Sequence, residues 1–499
     1  MSDEDVGPGC FINGRLTPGN GAVLDVRSPW NGELVDRIST ASATDVARAV
    51  SAAEEAFLDW REAPTPRRVA VLTALAALLD DHAQELAVLQ VRENGKALNV
   101  RNAQRYGDHL RYSAHLLQMP SGYVVEPPAG SMRVHTERVP IGVVACLTPW
   151  NSPINLLLWK LGPAIAMANT VVVKPSEVTP LSTLRLAELA TKAGLPPGVL
   201  NVVSGDAAVG RALVEHPSVA RIAFTGSSAT GEQVAVAAAR GLRPVSLELG
   251  GKSANVVFGD ADLEQAVRGA ANGAFGAAGQ ACMAGSRILV ERSVYDEVLH
   301  GLVAAADAIR IGNPLDPSVD MGPIASAAQL QKIETMVDEA VAGGACVAAG
   351  GRREYVAELP EGFFYRPTVL TDVTPDSRIF HEEVFGPVVC VIPFESEDEA
   401  VRLANSTRYG LAAGVWTTDR RRSDRVASRL IAGTVWVNTY RKLAHNVPFG
   451  GMGMSGLGRE NGPGCLDEFS EQKAVWVDLG SDVRDVSGLR RTGRAIHHE

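Results

Sequence analysis

The sequence predicts an α/β protein built on parallel sheets. From Ile141 onward, short apolar runs alternate with amphipathic or Ala/Leu-rich stretches of helical length, a pattern typical of strands joined by crossover helices. A second region of the same kind spans about residues 251–449. The chain of 499 residues is too long for one hydrophobic core, so we expect two or three domains. The strands predicted in the first region are Ile141–Leu147, Thr170–Val173, Val199–Val203, Arg221–Phe224 and Val245–Leu247.

Three helices are predicted before the first of these strands. Asp45–Trp60 and Pro66–Arg92 are rich in alanine and amphipathic, and Asn102–Leu117 is the third. The second helix begins with proline in its first turn and is followed by Gly95, which are start and stop signals.

Residues 119–139 are predicted to form a projecting β-hairpin. The extended runs Tyr123–Val125 and Met132–Val134 flank the turn-forming segment Pro127–Gly130. The segment beyond Leu479 is polar, and we expect it to be loose or to pack between subunits.

Composition and charge exclude several classes of protein. With 47 basic and 57 acidic residues the net charge is −10, which leaves no basic surplus for binding nucleic acid. The six cysteines are far apart and form no C-x-x-C pair, so we expect neither a disulfide framework nor a metal site. The acidic start lacks the apolar run of a signal peptide, and the longest apolar stretch, Ile154–Ala168, is too short to span a bilayer. We therefore expect a cytoplasmic protein with no membrane partner.

Cys282 and Glu248 are the candidate reactive residues. Cys282 lies in the small-residue segment Gly279–Gly285, which leaves its thiol uncrowded, and Glu248 stands 34 residues earlier, beside a glycine pair. A thiolate nucleophile and a carboxylate that activates water are the groups needed to form and then hydrolyse a thioester. Without a wider pattern, such a cysteine is more often a small buried hydrophobe, and such a glutamate is usually a solvated or capping charge.

Two glycine turns are candidates for binding a phosphate, although no G-x-G-x-x-G sequence follows the early strands. They are Gly205–Gly210 and Phe224–Ser227, and the second follows a predicted strand and opens a helix near Ala229. A helix N-terminus after such a turn can receive a pyrophosphate or the nicotinamide end of a dinucleotide. Turns of this kind are common in α/β folds, so the signal is weak alone.

Seven short motifs occur in a fixed order along the chain. They are Pro149–Asn151, Lys174–Glu177, Phe224–Ser227, Leu247–Lys252, Gly279–Cys282, Glu382–Pro387 and Pro448–Gly451. In this order they resemble the motifs of aldehyde dehydrogenases, and the similarity covers about Arg27–Val477.

The resemblance implies a division of the chain and an assembly. It implies a Rossmann-type dinucleotide-binding domain at 1–118 and 140–250, an α/β catalytic domain at 251–449, and a small β oligomerisation element at 119–139 and 463–480. Residues 481–499 form a C-terminal tail in this scheme. A homodimer or homotetramer is implied, because the family's last strand extends the sheet of a neighbouring subunit.

The resemblance also implies roles for three catalytic residues. Cys282 is the nucleophile that attacks the aldehyde, and its thiol, with an ordinary pKa of roughly 8.5, needs help from the site to ionise. Asn151 and the backbone N–H of Cys282 would stabilise the resulting oxyanion. Glu248 would deprotonate the water that releases the acid. Read without the family, Asn151 is a turn residue before Pro153.

The cofactor implied by the resemblance is NAD, with NADP as a less favoured alternative. Glu177 matches the family's acceptor for the adenosine ribose hydroxyls, and a carboxylate there repels a 2′-phosphate. Glu383 and Phe385 resemble the pair that holds the nicotinamide ribose and ring. The implied cofactor-binding residues are Trp150, Lys174, Glu177, Gly210, Gly226, Ser227, Glu383 and Phe385.

The substrate pocket is where this sequence departs from the family. Ser152 and Leu443 stand where aromatic residues are frequent, which predicts an open, apolar entrance for a medium aliphatic or aromatic aldehyde. Arg441 and Lys442 are either ligands for a distal carboxylate, as in semialdehydes, or solvated loop charges. The pocket residues expected from the resemblance are Ser152, Leu156, Trp159, Met283 and Leu443.

Two other functions remain open from the sequence. A coenzyme A-acylating dehydrogenase would intercept the thioester with a thiol, and the presence of Glu248 argues against it, since water activation would be unnecessary. A crystallin-like structural protein would have a degraded site, whereas Cys282, Glu248 and Asn151 are all present.

Overall fold

A computed structural model of the protein describes residues 6–127 and 132–479. Two large sheets organise the chain, one with eight strands and one with seven. Helices cover both sheets, which confirms the predicted α/β class. No helix in these two ranges is long and apolar enough to cross a membrane.

The eight-stranded sheet contains all five strands predicted after Ile141. The central five strands are parallel, and their observed bounds differ from the predicted ones by at most two residues. From one edge to the other, the strands are Gly456–Leu457, Val245–Glu248, Val219–Thr225, Val143–Thr148, Thr170–Pro175, Leu200–Val203, Cys10–Ile12 and Arg15–Thr17.

The strand order of this sheet reverses at Val143–Thr148. The next two strands in sequence lie on one side of it, and Val219–Thr225 lies on the other. In open α/β sheets, a crevice for ligands forms outside the carboxyl ends of the strands at such a reversal. The residues that follow Thr148, Thr225 and Glu248 therefore surround one crevice.

The short strands outside the central five are absent from the sequence prediction. Cys10–Ile12 pairs antiparallel with Leu200–Val203, and Gly456–Leu457 pairs antiparallel with Val245–Glu248. Each has only two or three residues, so neither carries an alternating pattern that marks a strand by itself. Their pairing depends on distant parts of the chain.

Two of the three predicted N-terminal helices are divided. The predicted helix Pro66–Arg92 is broken at His82, where φ is −99° and ψ is 12°, and Asn102–Leu117 is likewise two helices. No glycine or proline lies between residues 67 and 94, so no strong helix breaker marks this position. The helices of this half are Ala43–Trp60, Thr65–Asp81, Ala83–Asn94, Val100–Ala103, Tyr106–Leu116, Pro153–Ala166, Leu181–Lys192, Ala207–Glu215 and Ser228–Arg240.

The seven-stranded sheet confirms the second alternating region. All neighbouring strands are parallel except Cys346–Ala349, which is antiparallel at one edge. In spatial order, the strands are Cys346–Ala349, Thr368–Thr371, Val388–Phe394, Arg287–Glu291, Ala254–Val257, Ala412–Trp416 and Thr434–Val437. The helices are Leu263–Phe275, Tyr295–Ala308, Ala327–Ala342, Arg378–His381, Glu397–Ala404 and Arg420–Arg429, with 3₁₀ turns at Gly276–Gly279, Arg292–Val294 and Pro463–Phe469.

Three small sheets complete the fold. The predicted hairpin is present as Val124–Val125 paired with Met132–Pro140, and Ser470–Asp478 pairs antiparallel with the longer strand. Pro128–Gly130 of the predicted turn and the segment after Leu479 lie outside the described residues. The other small sheets consist of Gly7–Pro8, Val23–Arg27 and Leu34–Ser39, and of Tyr409–Gly410 with Met452–Gly453.

Candidate active site

Cys282 lies in a loop with an unusual backbone. The three residues Ala277, Ala278 and Gly279 all have positive φ, at 58°, 53° and 66°. A β-carbon at Gly279 would lie 2.0 Å from the carbonyl oxygen of Gly386, so this loop packs directly against the Glu382–Pro387 motif. Left-handed backbone at non-glycine residues is costly and concentrates at functional sites.

The thiol of Cys282 contacts an apolar cluster. Four of the five residues expected to line the substrate pocket belong to it, namely Leu156, Trp159, Met283 and Leu443, and Leu411 and Phe449 complete it. Burial raises the pKa of the Cys282 thiol to about 12, and the carboxylates of Glu248 and Glu383 act in the same direction. This shift is opposite to the assistance expected from the sequence, so the resting sulfur holds its proton.

Asn151 is placed against the nucleophile loop. It follows the strand Val143–Thr148, and its Nδ2 donates a hydrogen bond to the carbonyl oxygen of Gln280, at 2.9 Å. A side-chain amide has two N–H donors, so one donor remains for an oxyanion. The Oδ1 atom of Asn151 is buried and has no hydrogen-bond partner in the described part of the chain.

Glu248 is a buried carboxylate at the end of the strand Val245–Glu248. Neither of its oxygens has a hydrogen-bond partner among the described residues, and a β-carbon at Gly450 would lie 2.8 Å from Oε1. Burial raises the pKa of Glu248 well above its usual range. The Glu460 carboxylate adds to this shift, while Lys160 opposes it.

Lys160 and Glu460 form a buried ion pair beside Glu248 that the sequence prediction missed. The Lys160 Nζ atom donates to Glu460 Oε1 and, at 2.5 Å, to Thr225 Oγ1. The sign of this ion pair in the sequence is a single lysine within the apolar run Ile154–Ala168. A lysine is seldom fully buried without a partner, but the sequence does not show that the partner is 300 residues away.

The pair expected to hold the nicotinamide ribose and ring, Glu383 and Phe385, lies beside Trp150, a further expected cofactor-binding residue. The ring of Trp150 packs edge-on against the ring of Phe385, with 5.2 Å between centroids, and Phe385 has a φ of 58°. Glu383 accepts a hydrogen bond from the backbone N–H of Gly251 at 3.1 Å. Burial raises the pKa of Glu383 to about 7, against the opposing effect of that hydrogen bond and of nearby lysines.

The other residues expected to bind the cofactor lie at the ends of strands of the eight-stranded sheet or in the segments that follow them. Lys174 is in the last part of the strand Thr170–Pro175, and its Nζ atom lies 3.3 Å from the half-exposed carboxylate of Glu177. Gly210 packs near Lys174, and Gly226 follows the strand Val219–Thr225. Ser227 caps the next helix by accepting a hydrogen bond from the backbone N–H of Thr230.

The remaining pocket residue, Ser152, contacts a basic group. Its Oγ atom lies 3.1 Å from the Nζ atom of Lys96. Arg441 donates from Nη1 to the carbonyl oxygens of Asn272 and Gly276, so it is not a solvated charge, whereas Lys442 is exposed. The apolar entrance expected from the sequence is thus basic on this side.

Comparison with known proteins identifies the family. The aldehyde dehydrogenase family model matches residues 16–475. This chain belongs to the aldehyde dehydrogenase family. A betaine aldehyde dehydrogenase of Cereibacter sphaeroides is 42% identical over 94% of this chain and 97% of its own length.

Solved structures of similar proteins have the same fold. A betaine aldehyde dehydrogenase of Staphylococcus aureus in complex with NAD⁺ superposes with a TM-score of 0.93 at 36% identity, covering 96% of each chain. PnpE from Pseudomonas sp. WBC-3 gives a TM-score of 0.93 at 40% identity, covering 97% of this chain and all of its own. The match extends over both large sheets.

The backbone of the nucleophile loop gives a first prediction. We expect Gly279→Ala to lower aldehyde-dependent NADH formation at least about tenfold, because the new methyl group would meet the Gly386 carbonyl and displace Cys282. Gly194→Ala is the control, since Gly194 has a φ of 87° with nothing within 4 Å of an added β-carbon. It should lose only about 1–2 kcal/mol of stability and no activity. Equal activity of the two variants would contradict the packing argument.

Proposed function

We propose that this protein is an NAD-dependent aldehyde dehydrogenase that releases its product by hydrolysis. The observation that carries the proposal is the arrangement of the segment Phe449–Gly450. Phe449 belongs to the apolar cluster that contacts Cys282, and Gly450 lies against the unpartnered carboxylate of Glu248. A nucleophile and a base for water therefore serve one pocket.

The reaction converts an aldehyde, NAD⁺ and water into a carboxylic acid, NADH and a proton. Cys282 loses its proton to solvent as its sulfur forms a bond to the aldehyde carbon, and Asn151 donates a hydrogen bond to the oxyanion produced. NAD⁺, when bound, would supply the acceptor for the hydride that leaves this carbon, and Cys282 would then hold the acyl group as a thioester. Glu248 takes a proton from water, the water oxygen bonds to the acyl carbon, the carbon–sulfur bond breaks, and the proton on Glu248 passes to the released sulfur.

The residues around the crevice fit a dinucleotide. The second oxygen of Glu383 makes no hydrogen bond to the described residues, which leaves an acceptor for a ribose hydroxyl. The half-exposed Glu177 is a further acceptor, beside Lys174. The S. aureus relative was solved with NAD⁺, which supports NAD as the cofactor here. Because Glu177 is anionic, NADP is the less favoured alternative.

Cofactor choice should respond to Glu177. We expect Glu177→Gln to raise kcat/KM for NADP relative to NAD by about tenfold, because it removes a negative charge opposite the 2′-phosphate and keeps the side-chain volume. Glu188→Gln is a matched control, since Glu188 is also an accessible glutamate and pairs with Arg185. Steady-state kinetics with both cofactors measure the ratio. An unchanged ratio in Glu177→Gln would place selectivity elsewhere.

A panel of aldehydes with and without coenzyme A separates the candidate activities. Hydrolytic turnover gives NADH and free acid without coenzyme A, whereas an acylating enzyme requires the thiol and gives an acyl-coenzyme A. A crystallin-like protein gives neither product. NADH formation that depends on coenzyme A would overturn the assignment of Glu248 as the base for water.

The small sheet of Val124–Val125, Met132–Pro140 and Ser470–Asp478 supports an oligomerisation element at 119–139 and 463–480, and hence a homodimer or homotetramer, as a further part of this proposal. Val124 and Trp476 on this sheet are 80% and 62% exposed, and large apolar side chains at this level of exposure are typical of interfaces. We assign 1–118 and 140–250 to dinucleotide binding, 251–449 to catalysis and 481–499 to a tail, in a cytoplasmic protein. Light scattering coupled to gel filtration tests the assembly, and a monomer would contradict it.

A further inference from the structure

Trp159 is held at its indole nitrogen by a residue that the proposed reaction does not use. The Nε1 atom of Trp159 donates a hydrogen bond to the Nε2 atom of His109, at 3.3 Å. Trp159 lies in the helix Pro153–Ala166, which begins two residues after Asn151, and His109 lies in the helix Tyr106–Leu116 that packs against it. The bond therefore joins a side chain of the active-site helix to a second helix.

Trp159 belongs to the apolar cluster that contacts Cys282. Its side chain is buried, and its ring packs edge-on against the ring of Phe449, with 5.5 Å between centroids. The indole is thus in contact with Phe449 on one side and is hydrogen-bonded to His109 at its nitrogen. Its orientation therefore sets the shape of the pocket in which Cys282 meets an aldehyde.

The chemistry of this hydrogen bond fixes the state of the His109 ring. An indole nitrogen can only donate, so Nε2 of the imidazole has to be the nitrogen that carries no proton. Burial lowers the pKa of His109 to about 4, and the neighbouring His445 acts in the same direction. The ring is therefore neutral at pH 7, with its proton on Nδ1 and the lone pair of Nε2 facing Trp159.

The ring of His109 is held by further contacts. The Oδ1 atom of Asn155, one helical turn before Trp159, lies 3.1 Å from the same Nε2 atom. An amide turned by 180° presents N–H at this point, so the contact also suits an unprotonated Nε2. The ring of His445 packs edge-on against His109 at 6.3 Å between centroids, and against Tyr112 at 5.0 Å. Nδ1 of His109 has no hydrogen-bond partner among the described residues, so both polar contacts of the ring are at Nε2.

We infer that His109 is a positioning residue, which sets the specificity of the pocket by holding the indole of Trp159 in one orientation. A buried tryptophan N–H usually has a partner, and without one the indole turns toward another acceptor or toward water. An aldehyde with a flat ring packs on the indole and depends on its orientation, whereas a two-carbon aldehyde offers little surface for such packing. The inference rests on the proposed dehydrogenase function and adds a residue to it.

Replacing His109 with phenylalanine removes the acceptor and keeps a ring beside His445. We expect His109→Phe to lower kcat/KM for phenylacetaldehyde at least about fivefold, mainly through KM, and kcat/KM for ethanal less than about twofold. His109→Gln should restore most of the loss, because its amide oxygen can accept from the indole. His115→Phe is the matched control, since His115 is an exposed residue of the same helix. A ratio of the two kcat/KM values within about twofold of wild type in folded His109→Phe would overturn the inference.

A double-mutant cycle tests whether His109 acts through Trp159. Trp159→Phe removes the donor and keeps an aromatic ring, so it should lower the same ratio, and adding His109→Phe should cause no further loss. Losses that multiply in the double variant would overturn the inference. Should His109→Phe fail to fold, His109→Leu, which is smaller and also lacks an acceptor, replaces it in both experiments. Absence of NADH with every aldehyde in the wild type would instead overturn the proposed function.

Discussion

Replacing Cys282 with alanine is expected to reduce aldehyde oxidation by a factor of roughly 1,000 or more. The thiol forms the covalent bond to the substrate, and no other cysteine lies in the apolar cluster of the pocket. NAD binding should persist, because the residues assigned to the cofactor lie on other elements, around Lys174 and Glu383.

The control for this experiment is Cys346→Ala. Cys346 is an exposed cysteine on the edge strand of the seven-stranded sheet. Its replacement therefore shows whether removing a thiol outside the pocket affects activity. NADH formation measures activity, and titration calorimetry measures NAD binding. Near wild-type turnover by the alanine variant at 282 would contradict the assignment of the nucleophile.

Replacing Glu248 with glutamine is expected to separate the two halves of the reaction. Hydride leaves before water attacks, so this variant should form about one equivalent of NADH per site in a burst and then turn over at least roughly 100-fold more slowly. Stopped-flow absorbance with NAD and a reactive aldehyde measures both phases. A missing burst would show that Glu248 also acts earlier, as the acceptor of the Cys282 proton. Wild-type turnover by Glu248→Gln would show that Glu248 has no part in the mechanism.

The pH dependence of turnover follows from the same carboxylate. Because burial raises the pKa of Glu248, the base is lost by protonation at a higher pH than for an ordinary glutamate. In wild type, kcat should therefore fall as the pH decreases through this raised pKa, well above the usual carboxyl range. The variant Glu248→Gln should lack this limb of the profile.

Much of the fold could be predicted because its central strands carry their own signal. The runs from Val143 to Glu248 are continuous apolar segments separated by helical ones, and this pattern follows from burial on both faces of a parallel sheet. The short strand Cys10–Ile12 has no such signal, since it depends on pairing with Leu200–Val203 and Arg15–Thr17. The break at His82 is similar, because no glycine or proline lies near it.

The reactive residues of the site could also be predicted, but their environment could not. Cys282 and Glu248 stand in short motifs that are visible in the chain. The Lys160–Glu460 pair joins residues 300 positions apart, and Lys96 reaches Ser152 across 56 positions. The pKa of Cys282 depends on burial by several segments, so the expected assistance to ionisation was wrong in direction. The charge and burial of these side chains depend on contacts between distant elements. Such contacts leave no local pattern in the sequence.

Trapping of the acyl-enzyme tests the central claim, that Cys282 carries the substrate and Glu248 releases it. Glu248→Gln is mixed with NAD and hexanal, quenched in acid, and examined by intact-protein and peptide mass spectrometry. The account predicts one hexanoyl group per chain, located on the peptide that contains Cys282, and its loss on treatment with hydroxylamine. An unmodified Cys282 after NADH has formed, or an acyl group on another residue, would contradict it.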